Sequence, residues 1–179
     1  MRLAIDTIQT AAGPLQIVQV DSESLDLIMT LLQEASDWLL SRGIRMWRRM
    51  HTAEGRAFVA ARFATDAVYL VFRDGDPVAT FSLRWEETTM WGEVGLDGQA
   101  GYLHGFTVSR QVGGQGVGLA LLAWIDKQVE VRGRRCLRLN TTAGNPGICG
   151  YYERAGFRPC GVVSHVLGGM TQLYERKRL

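Results

Sequence analysis

Cysteine and histidine are both scarce. Cys136, Cys149 and Cys160 are odd in number and show no CxxC spacing, which argues against a disulfide framework and against a cysteine-based zinc site. Reduced thiols are the plain reading. Only His51, His104 and His165 are available to activate a thiol, so a cysteine nucleophile is the minor reading. No ligand spacing points to a metal. An excess of one charge is also missing: Lys and Arg number 20 against 18 Asp and Glu, a net charge of +2. The densest basic clusters, Arg45 to Arg49 and Arg132 to Arg135, are short and read as solvated faces, so nucleic acid is not expected as a partner. No apolar run approaches the ~20 residues that span a membrane. The start, Met1 to Thr10, lacks the basic region and apolar core of a secretory leader. A cytoplasmic protein is therefore expected. No repeat and no low-complexity linker divides the chain.

What is present is an ordinary globular balance. Apolar residues make up 46% of the 179 positions and charged residues 21%. This supports one domain, 1–179, with a sizeable core. Leu15 to Val20 alternates and is taken as the first strand. Asp21 or Ser22 caps a helix with an apolar stripe at Leu25, Ile28, Met29, Leu32, Ala35 and Leu39, ended by Gly43. A second helix covers Ala53 to Ala64. Val68 to Phe72 and Val78 to Trp85 form a hairpin around Arg73-Asp74-Gly75-Asp76, since Asp-Gly between apolar runs signals a tight turn. Glu86 to Gly101 reads as a polar, glycine-rich loop, its Trp91 either a lid over substrate or a plug for the sheet. Tyr102 to Val108 is a strand. Gly116 to Val131 is a helix whose apolar face would hold Leu119, Leu122, Ala123, Ile125 and Val129. Cys136 to Thr141 is a strand, Gly147 to Ala155 a short helix, and Phe157 to Val163 with Met170 to Lys177 a closing antiparallel pair. Strand, turn, helix and strand over residues 102–141 imply a right-handed parallel crossover. The class is mixed α/β.

The most informative segment is Gln111-Val-Gly113-Gly114-Gln115-Gly116-Val117-Gly118, between that strand and helix. Glycine admits positive φ and lets a ligand approach the backbone. The first N–H groups of a helix lack internal partners. Together they suit a phosphate group. The dinucleotide fingerprint GxGxxG fails here, because Leu119 or Leu121 stands where its last glycine belongs. A Walker loop fails too, for want of a lysine. A bare strand-to-helix turn without a ligand is the remaining simple reading.

At this point the chain resembles the GCN5-related N-acetyltransferase (GNAT) superfamily. Gln111-x-x-Gly114-x-Gly116 is similar to its Q/R-x-x-G-x-G/A signature. Tyr102 to Val108 resembles its fourth strand. Asn145 with Tyr151-Tyr152-Glu-Arg-Ala-Gly156-Phe157 resembles its N…Y-E-x-x-G-F segment, and Trp38-Leu-Leu-Ser-Arg-Gly43 with Trp47 is also similar to many members. One departure stands out: the family commonly has Arg or Lys where this chain has Gly113, so a cation is missing there unless Arg110 supplies it. The resemblance implies the GNAT acyl-CoA N-acyltransferase fold, a mostly antiparallel central sheet with one splayed parallel strand pair, flanked by helices.

The resemblance further implies acetyl-CoA as co-substrate, with its diphosphate on the amides of Gly113, Gly114, Gln115, Gly116, Val117 and Gly118. Its pantetheine arm would run between the strands ending near Val108 and Thr141, pairing with backbone groups along Phe106, Thr107 and Val108. An N–H there would polarise the thioester carbonyl. Gln111 carries the signature, and Asn145 would hold the arm or a water. Tyr152 would be the acid for the departing thiolate, with packing in the core as the alternative; Tyr151 is expected to pack. For the base, His104 lies on the strand before the turn, on one face with Tyr102, Phe106 and Val108 if alternation holds. Imidazole suits proton removal at neutral pH. Glu86, Glu87, Glu93 and Asp97 are rivals, none favoured over the others. His51 and His165 have no partner in the pattern.

Transfer of an acetyl or other acyl group to a primary amine of a small molecule or peptide is the function this implies, in a monomer or homodimer. A non-catalytic acyl-CoA sensor would share the same turn, and a nucleotide-dependent enzyme using another phosphate ligand is a third reading. The first helices and residues 86–101 would shape the amine pocket, with Glu34, Asp37, Arg42, Arg45, Arg48, Arg49 and the tryptophans 38, 47, 85 and 91 as candidate lining.

Overall fold

The computed structural model describes residues 3–44, 46–164 and 169–177. Two compact units make up the chain: Met1–Leu83 with Gly105–Leu121, and Arg84–His104 with Leu122–Leu179.

In the first unit, β1 (Leu3–Thr10) and β2 (Gly13–Val20) form an antiparallel hairpin. The strand at 15–20 is therefore the second. Its predecessor goes unnoticed in sequence because the turn is Ala11-Ala12 rather than an Asn-Gly or Asp-Gly pair. The Thr10 hydroxyl holds it instead, donating to Gly13 O at 2.8 Å and accepting from Ala12 N–H at 3.1 Å. Asp21 caps a short 3-10 turn, and α1 (Leu25–Ser41) follows. It buries Ile28, Met29, Leu31 and Leu32 in a cluster with Val18, Met50, Val59, Val68, Leu70 and Phe72. Gly43, at φ 76°, ends the helix with its N–H on Leu40 O. Trp47 follows in the left-handed region at φ 59°, and Ser36 Oγ donates to its carbonyl at 3.2 Å. Beyond it comes α2 (Ala53–Ala61), capped by Thr52 and extended by a 3-10 turn to Ala64. β3 (Ala67–Arg73) and β4 (Asp76–Arg84) then form the hairpin, Asp74 and Gly75 taking φ of 52° and 89°, as the Asp-Gly pair requires. The order in this unit is β1-β2-β3-β4, antiparallel throughout.

In the second unit the segment expected as a loop is structured: α3 (Thr88–Trp91) is followed by a 3-10 helix, Gly92–Leu96. β5 (Ala100–Val108) starts two residues earlier than expected. After the glycine turn, α4 (Val117–Val131) leads to β6 (Cys136–Thr142), α5 (Pro146–Arg154), β7 (Arg158–Ser164) and β8 (Met170–Lys177). β5 and β6 pair in parallel from Ala100↔Cys136 to Leu103↔Leu139. The order is β5-β6-β8-β7, with β8 antiparallel to both neighbours. The apolar face of α4 differs from expectation. Leu119 is 53% exposed and Ala123 is exposed too, while Leu121, Leu122, Trp124, Ile125 and Val129 are buried. Positions 119 and 123 stand one turn apart on the stripe opposite 121, 125 and 129.

No helix among the described residues is long and apolar enough to cross a membrane. His165 and Arg45 lie outside the described residues.

Candidate active site

The glycine turn is built within the first unit. Ser109 follows β5 and donates its N–H to Val78 O of β4 at 2.8 Å. Its hydroxyl accepts from Gln111 N–H at 3.3 Å, starting a 3-10 turn over Arg110–Val112. The same hydroxyl donates to Glu34 Oε1 of α1 at 3.0 Å, and that oxygen also accepts from Arg110 N–H at 3.3 Å. The Arg110 guanidinium lies 4.1 Å over the Trp38 ring, whose ring also meets Arg42 at 5.4 Å. Val112 is buried and pins the turn.

Gly114 and Gly116 both take φ of 75°, where an L side chain is strained, and a Cβ at either would meet nothing within 4 Å. The backbone thus bends with open space beside it. The first amide to bond back into α4 is that of Ala120, on Gly116 O at 3.0 Å. Those of Val117, Gly118 and Leu119 precede it and have no intrahelical acceptor. Gln111 is exposed, its carbonyl accepting from Gln115 Nε2 at 3.4 Å. This donor set fits a diphosphate: helix-start amides without an intrahelical acceptor, open space beside Gly114 and Gly116, and Arg110 close by in the same turn.

Residues leading into the turn depart from simple alternation. Gly105 takes φ 58°, and a Cβ there would collide with the Arg62 guanidinium. This breaks the extended geometry on which the shared face of His104, Phe106 and Val108 depended. Thr107 is buried, its hydroxyl donating to Gly105 O at 3.2 Å; Phe106 packs edge-on against Phe81 at 6.3 Å.

The other candidates lie in the second unit. Among the rival carboxylates, Glu86 and Glu93 are exposed and Asp97 is engaged by Arg138 at 2.9 Å. Glu87 differs: its side chain is 4% exposed. It caps α3, Oε1 accepting from Thr89 N–H at 2.9 Å. Its Oε2 stands 3.0 Å from Arg84 Nη1 and 3.3 Å from His104 Nε2. The latter is an ion-pair distance without the alignment of a hydrogen bond. Burial alone would raise the Glu87 carboxyl, but His104, Arg84 and the Thr89 amide overturn this and hold it at about 2.

Tyr152 sits on α5, buried among Tyr151, Phe157 and Tyr174 at ring distances of 5.4, 5.6 and 6.1 Å. Burial pushes its phenol well above the ordinary range, so it is protonated at neutral pH. Asn145 is buried and caps α5, its Oδ1 accepting from Ile148 N–H at 3.3 Å, with Pro146 in the first turn. Tyr174 reaches Glu153 at 2.9 Å.

Trp91 is a plug rather than a lid. It packs on Ala100, Tyr102 and Cys136, 6.0 Å from the Tyr102 ring, with Arg138 5.0 Å above it. Buried Arg138 joins this segment to β6 and β8. It donates to Asp97, Glu175, the Tyr102 hydroxyl and Val94 O. His51, which had no partner in the sequence pattern, meets Asp37 at 2.8 Å. Arg84 is a residue that sequence reasoning did not single out for the site, and Glu34, expected only as lining of the amine pocket, instead braces the glycine turn. Glu34 acts 75 residues away from Ser109, a relation that no local pattern carries.

The model of the acetyltransferase (GNAT) family matches residues 32–157, which contain the glycine turn, His104, Glu87, Asn145 and Tyr152. An uncharacterised N-acetyltransferase of Bacillus subtilis strain 168, YesJ, is 26% identical over 140 residues, covering 75% of this chain and 77% of that protein. Among solved structures, a GNAT-family acetyltransferase of Listeria monocytogenes 4b F2365 superposes with a TM-score of 0.78 at 19% identity, covering 97% of this chain and 100% of that one. RimL, a ribosomal L7/L12 alpha-N-protein acetyltransferase in complex with coenzyme A, gives 0.68 at 17% identity over 97% of each chain. These likenesses identify the mixed α/β architecture as the acyl-CoA N-acyltransferase fold. With the family model spanning well over half of its length, this chain belongs to the acetyltransferase (GNAT) family, the acyl-CoA-dependent N-acyltransferases.

Proposed function

We propose that this acetyltransferase moves the acetyl group of acetyl-CoA onto a primary amine of a small molecule or peptide by direct attack. The observation that carries the reading is the turn at Gly114 and Gly116, two left-handed glycines with open space where a side chain would stand, leading into a helix whose first amides lack an intrahelical acceptor. The amides from Gly113 to Gly118 take the diphosphate, and Arg110 supplies the cation that Gly113 cannot. Backbone groups of Phe106, Thr107 and Val108 hold the pantetheine arm, and Asn145 steadies it while capping α5.

An alkyl ammonium has a pKa of ~10.4 and must lose a proton before it attacks. His104 takes that proton. The amine lone pair then forms the N–C bond at the thioester carbonyl, the C–S bond breaks, the thiolate takes a proton from Tyr152, and the surplus proton on the acylated nitrogen restores the Tyr152 phenol. Burial keeps the Tyr152 phenol protonated at neutral pH, so the proton is in place when the thiolate departs.

Thiol release from acetyl-CoA, followed over a panel of polyamines, amino acids, aminoglycosides and peptide N-termini, tests the reading. Consumption with at least one amine is expected. No consumption with any of them, alongside tight coenzyme A binding, would favour a sensor.

A further inference from the structure

Glu87 meets His104 inside the second unit, and nothing in the family likeness assigns this pair. His104 Nε2 is sealed from solvent and stands 3.3 Å from Glu87 Oε2, its nearest charged neighbour, while the side chain as a whole keeps 17% exposure. The exposed part of the ring therefore lies away from Nε2. Nδ1 has no protein partner among the described residues and is not among the buried, unpartnered atoms. Glu87 is itself held from three sides, by the Thr89 amide, by Arg84, and by its own N–H on Gly95 O at 3.2 Å. A Cβ at Gly95 would collide with the Glu87 carbonyl, so the segment packs without slack at this point.

We infer that Glu87 is a positioning residue: it keeps the His104 proton on Nε2, so that Nδ1 carries the lone pair and is the atom that accepts the proton of the substrate ammonium. The last clause rests on the proposed acyl transfer; the tautomer does not. A carboxylate facing the ring nitrogen selects the neutral form that carries hydrogen on that nitrogen. It also offsets the positive charge once Nδ1 is protonated. Arg84 is the other charge at the pair and opposes that protonation. Arg138 of β6, opposite Tyr102, is taken up by Asp97 and Glu175, and Leu139 opposite Leu103 is uncharged. With Glu87 ionised down to about pH 2, its charge is constant through any assay range.

Long-range proton–nitrogen correlation spectra of the full chain, labelled with 15N-histidine, test this without substrate; the His104 signals are assigned by their loss in His104→Gln. The neutral ring is expected as the Nε2–H form. In Glu87→Gln the preference for Nε2–H should be lost, with the Nδ1–H signal growing at least about tenfold. Glu87→Asp keeps the charge and should restore most of the preference. An Nδ1–H form in the unaltered protein, or an unchanged tautomer in a folded Glu87→Gln, would overturn the assignment. Thiol release from acetyl-CoA forms the second arm, in which Glu87→Gln should lower kcat more than it raises KM and Glu87→Asp should recover it. If His104→Gln leaves the rate intact while the spectra stand as expected, Nδ1 is not the acceptor and Glu87 only anchors the ring.

Discussion

Glu34 Oε1 on α1 accepts hydrogen bonds from both the Ser109 hydroxyl, at 3.0 Å, and the Arg110 amide, at 3.3 Å. One helix carboxylate therefore braces the start of the glycine turn. Removing it leaves Ser109, 4% exposed, without its acceptor. In Glu34→Ala, coenzyme A should bind about tenfold more weakly by calorimetry. Unfolding should cost ~1–2 kcal/mol less, the usual effect of leaving one buried polar group unpaired. Unchanged affinity would mean that the turn holds its shape without the brace.

Arg138 is 6% exposed and lies between Asp97 and Glu175, donating also to Tyr102 and to Val94 O. Replacing it with Met takes the shared cation from Asp97 and Glu175 beside an apolar cluster, leaving Glu175 only the exposed Lys177 at 3.9 Å. Arg138→Met should lower stability by about 3–5 kcal/mol in denaturant titration. A loss under ~1 kcal/mol would show that the ion pairs are solvated well enough to be dispensable.

Acid should weaken the second unit through Glu87. Its folded carboxyl ionises at about 2 against an ordinary 4.5, so the native state holds fewer protons than the unfolded chain between those values. The stabilisation is complete above about pH 5 and falls as pH drops toward 2. A shift of this size corresponds to roughly 3 kcal/mol at neutral pH. Unfolding measured between pH 6 and 3 should show a shallower decline for Glu87→Gln than for the unaltered protein, and parallel declines would contradict this.

Much of the fold could be read from local pattern. Asp74-Gly75 announced its hairpin, Gly43 its helix end, and the strand–glycine–helix–strand run its parallel pair, because each depends on residues close together in sequence. What escaped depended on distance or on competition. β1 was overlooked because a threonine hydroxyl, not a glycine pair, closes its turn. The α3 segment looked like loop because its polar surface hides a cap at Glu87 and an anchor at Arg138 on another strand. For the same reason four carboxylates ranked equally as candidate bases, and only burial separates Glu87 from them. Gly105 was read as one more strand residue, though its φ of 58° and the neighbouring Arg62 change how β5 continues. The glycine turn and Tyr152 were legible because their signals are residue types in a fixed short order.

Tyr152→Phe separates chemistry from packing. The ring contacts with Tyr151, Phe157 and Tyr174 survive the change, so the melting temperature and the coenzyme A affinity should stay close to those of the unaltered protein. Turnover should fall by about 100-fold, the usual range for loss of a general acid. Equal rates would remove Tyr152 from the chemistry and leave it a core residue.

The central claim is that the amides around Gly114 and Gly116 hold the diphosphate of a coenzyme A thioester, and titration calorimetry addresses it most directly. Coenzyme A should bind more tightly than ATP or NAD. A Gly114→Val, Gly116→Val variant should lose at least about tenfold of that affinity, since both positions need positive φ. Tighter binding of ATP or NAD, or full coenzyme A affinity in the folded double variant, would contradict the account.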